Sequence, residues 1–500
     1  MSTQDLVEES ILEIRQMHVI WRHSFMLRAL PDDFLSLAQG WLAELPSSIA
    51  VSGANSLPPL LSAIERASIG AANGGHQTVL RAQLQNVRLV NLPRSGGRNR
   101  FTLSPQALVD VYLDEIESPT WIEVAPVLAL HRSGVGLLEF YASYHHERGQ
   151  RPFRRLTHAI HYVRSGIYRQ VLLMPEGWVK LMQDHQPTRV GGDDYAQVGE
   201  LLDLSYSVLY DLQAKTHAGL SRAQAKNVLP IDKPITRSAT VILAETAPMA
   251  GDRFEPFVME FGAQLRGVGA MDLHYEERAF WLIDEELSHN LSIDSELALF
   301  LLGNSELLLF NEQILDLRPG WQRRGSEPDV LAAYVRYVIL IQWVYIQKTI
   351  AQLYLARLDE LAGQRPPRRQ QVIQVLQGAL GDLVHYQDDI TGFATNIRFL
   401  EEMRAHHNLP DFEDRIEAKQ SLLLNYTSEN HDFREAQAAE ILNWLVGILA
   451  GVELADIVAQ GVGLSPDIQP TYGIITVSSI ILTFAFLAFL SYIRYRRRRN

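Results

Sequence analysis

Five hundred residues are enough for two or three domains, and a hydrophobic fraction of 47 % is that of a globular chain rather than a disordered one. A formal net charge of −13, with no basic stripe interleaved with aromatics, argues against nucleic acid as the main partner. The chain has no cysteine, which excludes disulfides and thiolate metal sites and fits a cytoplasmic body.

Met1 to Gln16 is acidic and amphipathic, without the basic and apolar regions of a secretory signal. Met17 to Pro31 reads as extended. Glycine-bearing segments at 52–55, 70–76 and 93–100 mark loops, and none has the form of a phosphate-binding loop. Trp121 to His131 and Val135 to Tyr144 are two β-branched and aromatic runs around Ser133-Gly134, the pattern of a hairpin. Residues 195–224 read as a helix entered from a loop at Gln186 to Asp194. A second β-rich block is predicted after residue 238, with extended runs at Ala239–Glu245, Pro256–Leu265 and Arg278–Asp284. Leu297 to Asn311 is predicted as a hairpin turning at Gly303-Asn304-Ser305. Residues 1–320 are therefore expected to form an α+β body, with 185–195 as the place where two lobes would join. Its histidines gather at His145, His146, His158 and His161. Two histidines at i and i+3 on a helix can ligate one metal, while the neighbouring arginines favour a solvated face.

Asp329 to Leu361 is almost unbrokenly apolar and long enough for a buried helix, with Arg336 and Lys348 dividing it into pieces too short to cross a bilayer. Gly363 to Arg369 is a helix-breaking connector. A second helix, Gln370 to Met403, carries His385, Asp388 and Asp389, which could offer oxygen ligands to a divalent cation or form a solvated face. In Asp411 to Glu440 the apolar residues Phe412, Ile416, Leu423, Tyr426, Phe433 and Ala436 recur at helical spacing, as in a bundle helix or a surface helix. Residues 329–440 are expected to form a helical stalk.

Gly473 to Ile493 is uncharged and apolar, and about 20 such residues at 1.5 Å rise cross a bilayer core. Arg494, Arg496, Arg497, Arg498 and Arg499 follow as a basic tail, 494–500, which the positive-inside rule places in the cytoplasm. A second span at Ile441–Gly461 would put the body in the same compartment, making 441–493 a membrane hairpin. Asn443, Glu453 and Asp456 interrupt that segment, and with Gly461 and Gly463 they are the candidate ion path. In the alternative, 441–461 ends a helical bundle and a single helix only tethers the protein.

Asn425 to Val452, leading from a polar helix into the apolar segment, and the arginines from Arg494 onward resemble the CorA family of divalent-cation transporters, over about residues 330–500. The resemblance implies an α+β cytoplasmic body, long antiparallel stalk helices and a C-terminal two-helix transmembrane hairpin in a homo-oligomer of the inner or plasma membrane. The family's Gly-Met-Asn is missing, and Gly461-Val462-Gly463 stands nearest its place. Some CorA-like proteins accompany prokaryotic defence systems and respond to nucleotide-type signals. Two functions are thus expected: a cation channel or transporter gated by a small ligand or ion on its body, or a membrane-anchored binding or effector protein without conduction. The implied partners are the lipid bilayer, further copies of the chain, and a small ligand or divalent cation.

Overall fold

The computed structural model describes residues 12–27, 34–44, 79–90, 121–145, 156–168, 170–173, 186–190, 193–219, 235–247, 254–275, 280–292, 297–310, 330–363 and 397–426, with a few positions between 372 and 428 besides. The chain divides into two compact units, one of residues 1–360 and 374–418, the other of 361–373 and 419–500.

The first unit is built on strand β1 (Glu13–Met26). Met17, Val19, Trp21, His23 and Phe25 point to one face and His18, Ile20, Arg22 and Ser24 to the other, and all of them are buried. A strand buried on both faces belongs at the centre of a covered sheet. β1 lies antiparallel between β5 (Val135–His145) and β9 (Ile235–Ala247). Beyond β5 come β4 (Trp121–His131), β3 (Val87–Val90), β6 (Gln170–Leu173), β8 (Asp193–Gly199) and β7 (Gln186–Val190), and β2 (Val79–Gln83) also pairs with β4. On the other side, β11 (Ser305–Phe310) follows β9, and β10 (Leu297–Leu302) is next. The hairpins expected at 121–144 and 297–311 are present, turning at Gly134 (φ 87°) and Gly303 (φ 56°).

One face of the sheet is covered by α1 (Phe34–Glu44), α2 (Leu156–Tyr168), α3 (Leu201–Gly219), α4 (Phe254–Gly269) and α5 (Phe280–Leu287). Trp21, Phe140, Val241 and Leu307 from the strands share this core with Val163, Leu204 and Phe261 from the helices. The Trp21 indole donates to the Val163 carbonyl at 2.7 Å. A Cβ on Gly166 would stand 2.3 Å from that indole, so glycine is what lets α2 approach β1. β9 and β11 are parallel because the chain crosses between them through α4 and α5. Those two helices replace the extended runs expected at 256–265 and 278–284. Phe257, Phe261, Leu265 and Val268 are buried at steps of four, four and three, a helical face rather than an alternating one.

The segment assigned to a stalk is also corrected. Helix α6 (Val330–Gly363) is a buried layer of the same compact unit through residue 360, lying on the sheet face opposite the other helices. From Tyr337 to Tyr345 every residue is buried, which explains why the run is apolar all round. Among the described residues no helix is long and apolar enough to cross a membrane. The expected hairpin at 441–461 and 473–493 and the tail 494–500 lie outside the described residues. Over the described residues, the expected fold class of an α+β body, long antiparallel stalk helices and a C-terminal two-helix transmembrane hairpin gives way to a mixed α/β body that takes up the first stalk helix. The membrane, channel and inner-membrane assignments are corrected to the same extent: the described residues include no helix able to cross a membrane.

Candidate functional site

The sheet face toward α6 carries a charged centre, flanked along β1 by His18, Ile20 and Ser24. There, the β1–β5 register sets Arg22 opposite Glu139, and the β9–β11 register sets Thr240 opposite Glu306. Arg22 and both carboxylates are fully buried. The Arg22 Nε donates to Glu139 Oε1 at 2.7 Å, and its Nη1 donates to the Thr240 hydroxyl and lies 3.4 Å from Glu306 Oε2. The Thr240 hydroxyl in turn donates a hydrogen bond to Glu306 Oε2 at 2.5 Å. One guanidinium thus joins two carboxylates from strands on either side of β1.

Helix α6 closes the network from above. Gln342 and Tyr345, three residues apart on one helical face, each take one carboxylate. Gln342 Nε2 donates to Glu139 Oε2 at 2.7 Å, and the Tyr345 hydroxyl donates to Glu306 Oε1 at the same distance. The Tyr141 hydroxyl adds a second donor to Glu139 Oε2 at 2.7 Å, and Arg81 of β2 donates to Gln342 Oε1. The Arg22 guanidinium carbon sits 5.7 Å from the centre of the Tyr345 ring, within cation–π range. Among the described residues, Arg22 Nη2 has no hydrogen-bond partner.

A third component approaches from the chain's later helices. Helix α7 (Ile397–His406) ends at a corner where Asn408 has φ 54°, and a new helix starts at residue 409. The Asn408 carbonyl accepts from the Phe412 amide at 3.2 Å. His406 Nε2 donates to the Gly303 carbonyl in the β10–β11 turn at 2.7 Å. The buried His407 ring lies 4.7 Å from Tyr345, centre to centre, and its Nε2 is 3.8 Å from Glu306 Oε1. That separation is longer than an ordinary hydrogen bond.

Electrostatics follow from this enclosure. Burial alone would raise the Glu306 carboxyl, but His407, Arg22 and Thr240 hold it below the usual carboxylate range. Burial would lower Arg22, and the Glu139 and Glu306 carboxylates more than offset it. Burial and the adjacent carboxylates push Tyr141 and Tyr345 well up, so both remain hydroxyl donors. Burial also lowers the half-buried Lys348 ammonium, against the pull of Glu306.

None of these residues stood out as a site in the sequence, although a signal was there. Glu139 and Glu306 are single charges inside largely apolar strand runs, and Arg22 is the one formal charge within Met17–Phe25. The residues that did stand out are placed elsewhere. Asn443, Glu453, Asp456, Gly461 and Gly463, the cation candidates His385, Asp388 and Asp389, and the arginines Arg494, Arg496, Arg497, Arg498 and Arg499 lie outside the described residues. So do His146 and the side chains of His145 and His158, while His161 is half-buried on α2. Among the described residues no group of three His, Cys, Asp or Glu is placed to hold a metal ion.

No family model, curated protein or solved structure matches the chain.

Proposed function

We propose that this is a binding or effector protein whose α/β body holds a helical element, the corner at residues 406–408, in a state set by the buried ionic network. The observation that supports this reading is the position of Glu306. Its carboxylate meets the sheet through Thr240 and Arg22, α6 through Tyr345, and the corner through His407. Taking three charged side chains out of water costs several kcal/mol per ion, and such clusters add little net stability over apolar packing. Their best-attested use is to fix one register or one state of a switch. A ligand that shifts the sheet or α6 would change what the corner feels.

The two ligand classes to try are those that the CorA-like resemblance suggests, nucleotides and magnesium. Each is added alone to the full chain, and melting temperature and amide hydrogen exchange are followed. A compound that raises the melting temperature is expected to change exchange in 397–416 more than in β1 and β5. Stabilisation that leaves 397–416 unchanged would contradict the effector reading, and a lack of binding by either class would remove those ligands from it.

A further inference from the structure

We infer that the His406–His407–Asn408 corner is a releasable latch, docking on Glu306 and leaving it as a unit. The inference rests on the effector reading and names the moving part. It follows from a difference between the polar contacts of the network and those of the corner. Glu306 keeps donors from Thr240, Tyr345 and Arg22 whether or not the corner is present. Departure of His407 therefore strands no buried carboxylate. On the other side, His407 Nε2 is buried 3.8 Å from Glu306 Oε1 with no hydrogen bond among the described residues, so docking takes it out of water and returns no hydrogen bond. The one hydrogen bond described from the corner's side chains to the sheet, His406 to Gly303, is exposed, and water can replace it.

Polar terms thus favour release of the corner, whereas apolar terms favour docking. The His407 ring packs on Tyr345, and Met403 and Leu409 on either side of the corner are fully buried. Opposed terms of this kind define an element with two accessible states. Asn408 supplies the joint: its left-handed backbone interrupts the helix between Met403 and Phe412, so the corner can turn without unwinding both helices. Asparagine tolerates this conformation better than most residues.

The test is amide hydrogen exchange on the full chain without added ligand, comparing 403–416 with β1 and β5 as internal controls. His407→Phe keeps a ring on Tyr345 and removes the unsatisfied nitrogen, so exchange in 403–416 should slow by about fivefold or more. Glu306→Gln should speed it by about threefold or more, and by clearly less in the His407→Phe background, because the two residues act on one contact. Unchanged or faster exchange in His407→Phe overturns the latch, even if Glu306→Gln fails to fold. Equal effects of Glu306→Gln in both backgrounds overturn it as well. Because no ligand is involved, either failure leaves the effector reading to its own test.

Discussion

His23 shows how a single buried side chain leaves a measurable mark. It sits on the helix-covered face of β1, with its Nδ1 2.7 Å from the Ser205 hydroxyl. Ser205 gives its own proton to the Leu201 carbonyl at 3.0 Å, so the imidazole is the donor, carrying hydrogen on Nδ1. Burial, aided by the charge of Arg237, lowers this imidazole from 6.5 to about 3. Above pH 6.5 the folded and unfolded chains both hold it neutral. Between there and about pH 3 only the unfolded chain takes up the proton, so stability falls as pH falls through that window. The expected slope from this group is up to about 1.4 kcal/mol per pH unit. His23→Asn should flatten the dependence of the urea midpoint on pH between 6 and 4, roughly the window that these values set; an unchanged slope would mean that His23 titrates normally. The sequence carried the clue for Arg22 but not its meaning. A charge within Met17–Phe25 is visible as an anomaly, whereas its partners, 117 and 284 residues away, are set by strand register.

At the scale of elements, two hairpins and the helices within 195–224 and 329–361 were legible, whereas the β7–β8 pair lies where a loop was expected and α4 and α5 where strands were. The strands around Ser133-Gly134 and Gly303 could be read because turn and strand chemistry agree locally. The segment 254–269 misled because Val258, Phe261 and their neighbours suit a strand by propensity, while the helix follows from burial at every third or fourth position. The helix α6 was recognisable as a helix, but a segment apolar on all sides has no preferred face to say what it packs against. Close contact between α2 and β1 gives a direct test of packing at this scale. Gly166→Ala would force a methyl into the Trp21 indole, and chemical denaturation should show a loss of about 1–3 kcal/mol. A neutral or stabilising alanine would mean that α2 stands further from the sheet than described.

At the scale of the molecule, the described residues form a mixed sheet with helices on both faces and a charged centre sealed beneath α6. The chain beyond residue 428 lies outside the described residues, and with it the expected spans at 441–461 and 473–493 and the arginines from Arg494 onward. The central claim concerns the three buried charges and is tested by removing them singly and together. Arg22→Met alone leaves two carboxylates buried without their cation, and should cost about 3–5 kcal/mol in urea unfolding. The triple variant Arg22→Met, Glu139→Gln, Glu306→Gln removes every formal charge of the cluster and should recover most of that loss. The decisive measurement is amide exchange in the triple variant at near-normal stability. Faster exchange across 397–416, with β1 and β5 still protected, is the predicted result; an exchange profile indistinguishable from the natural protein would show that the network holds nothing but itself.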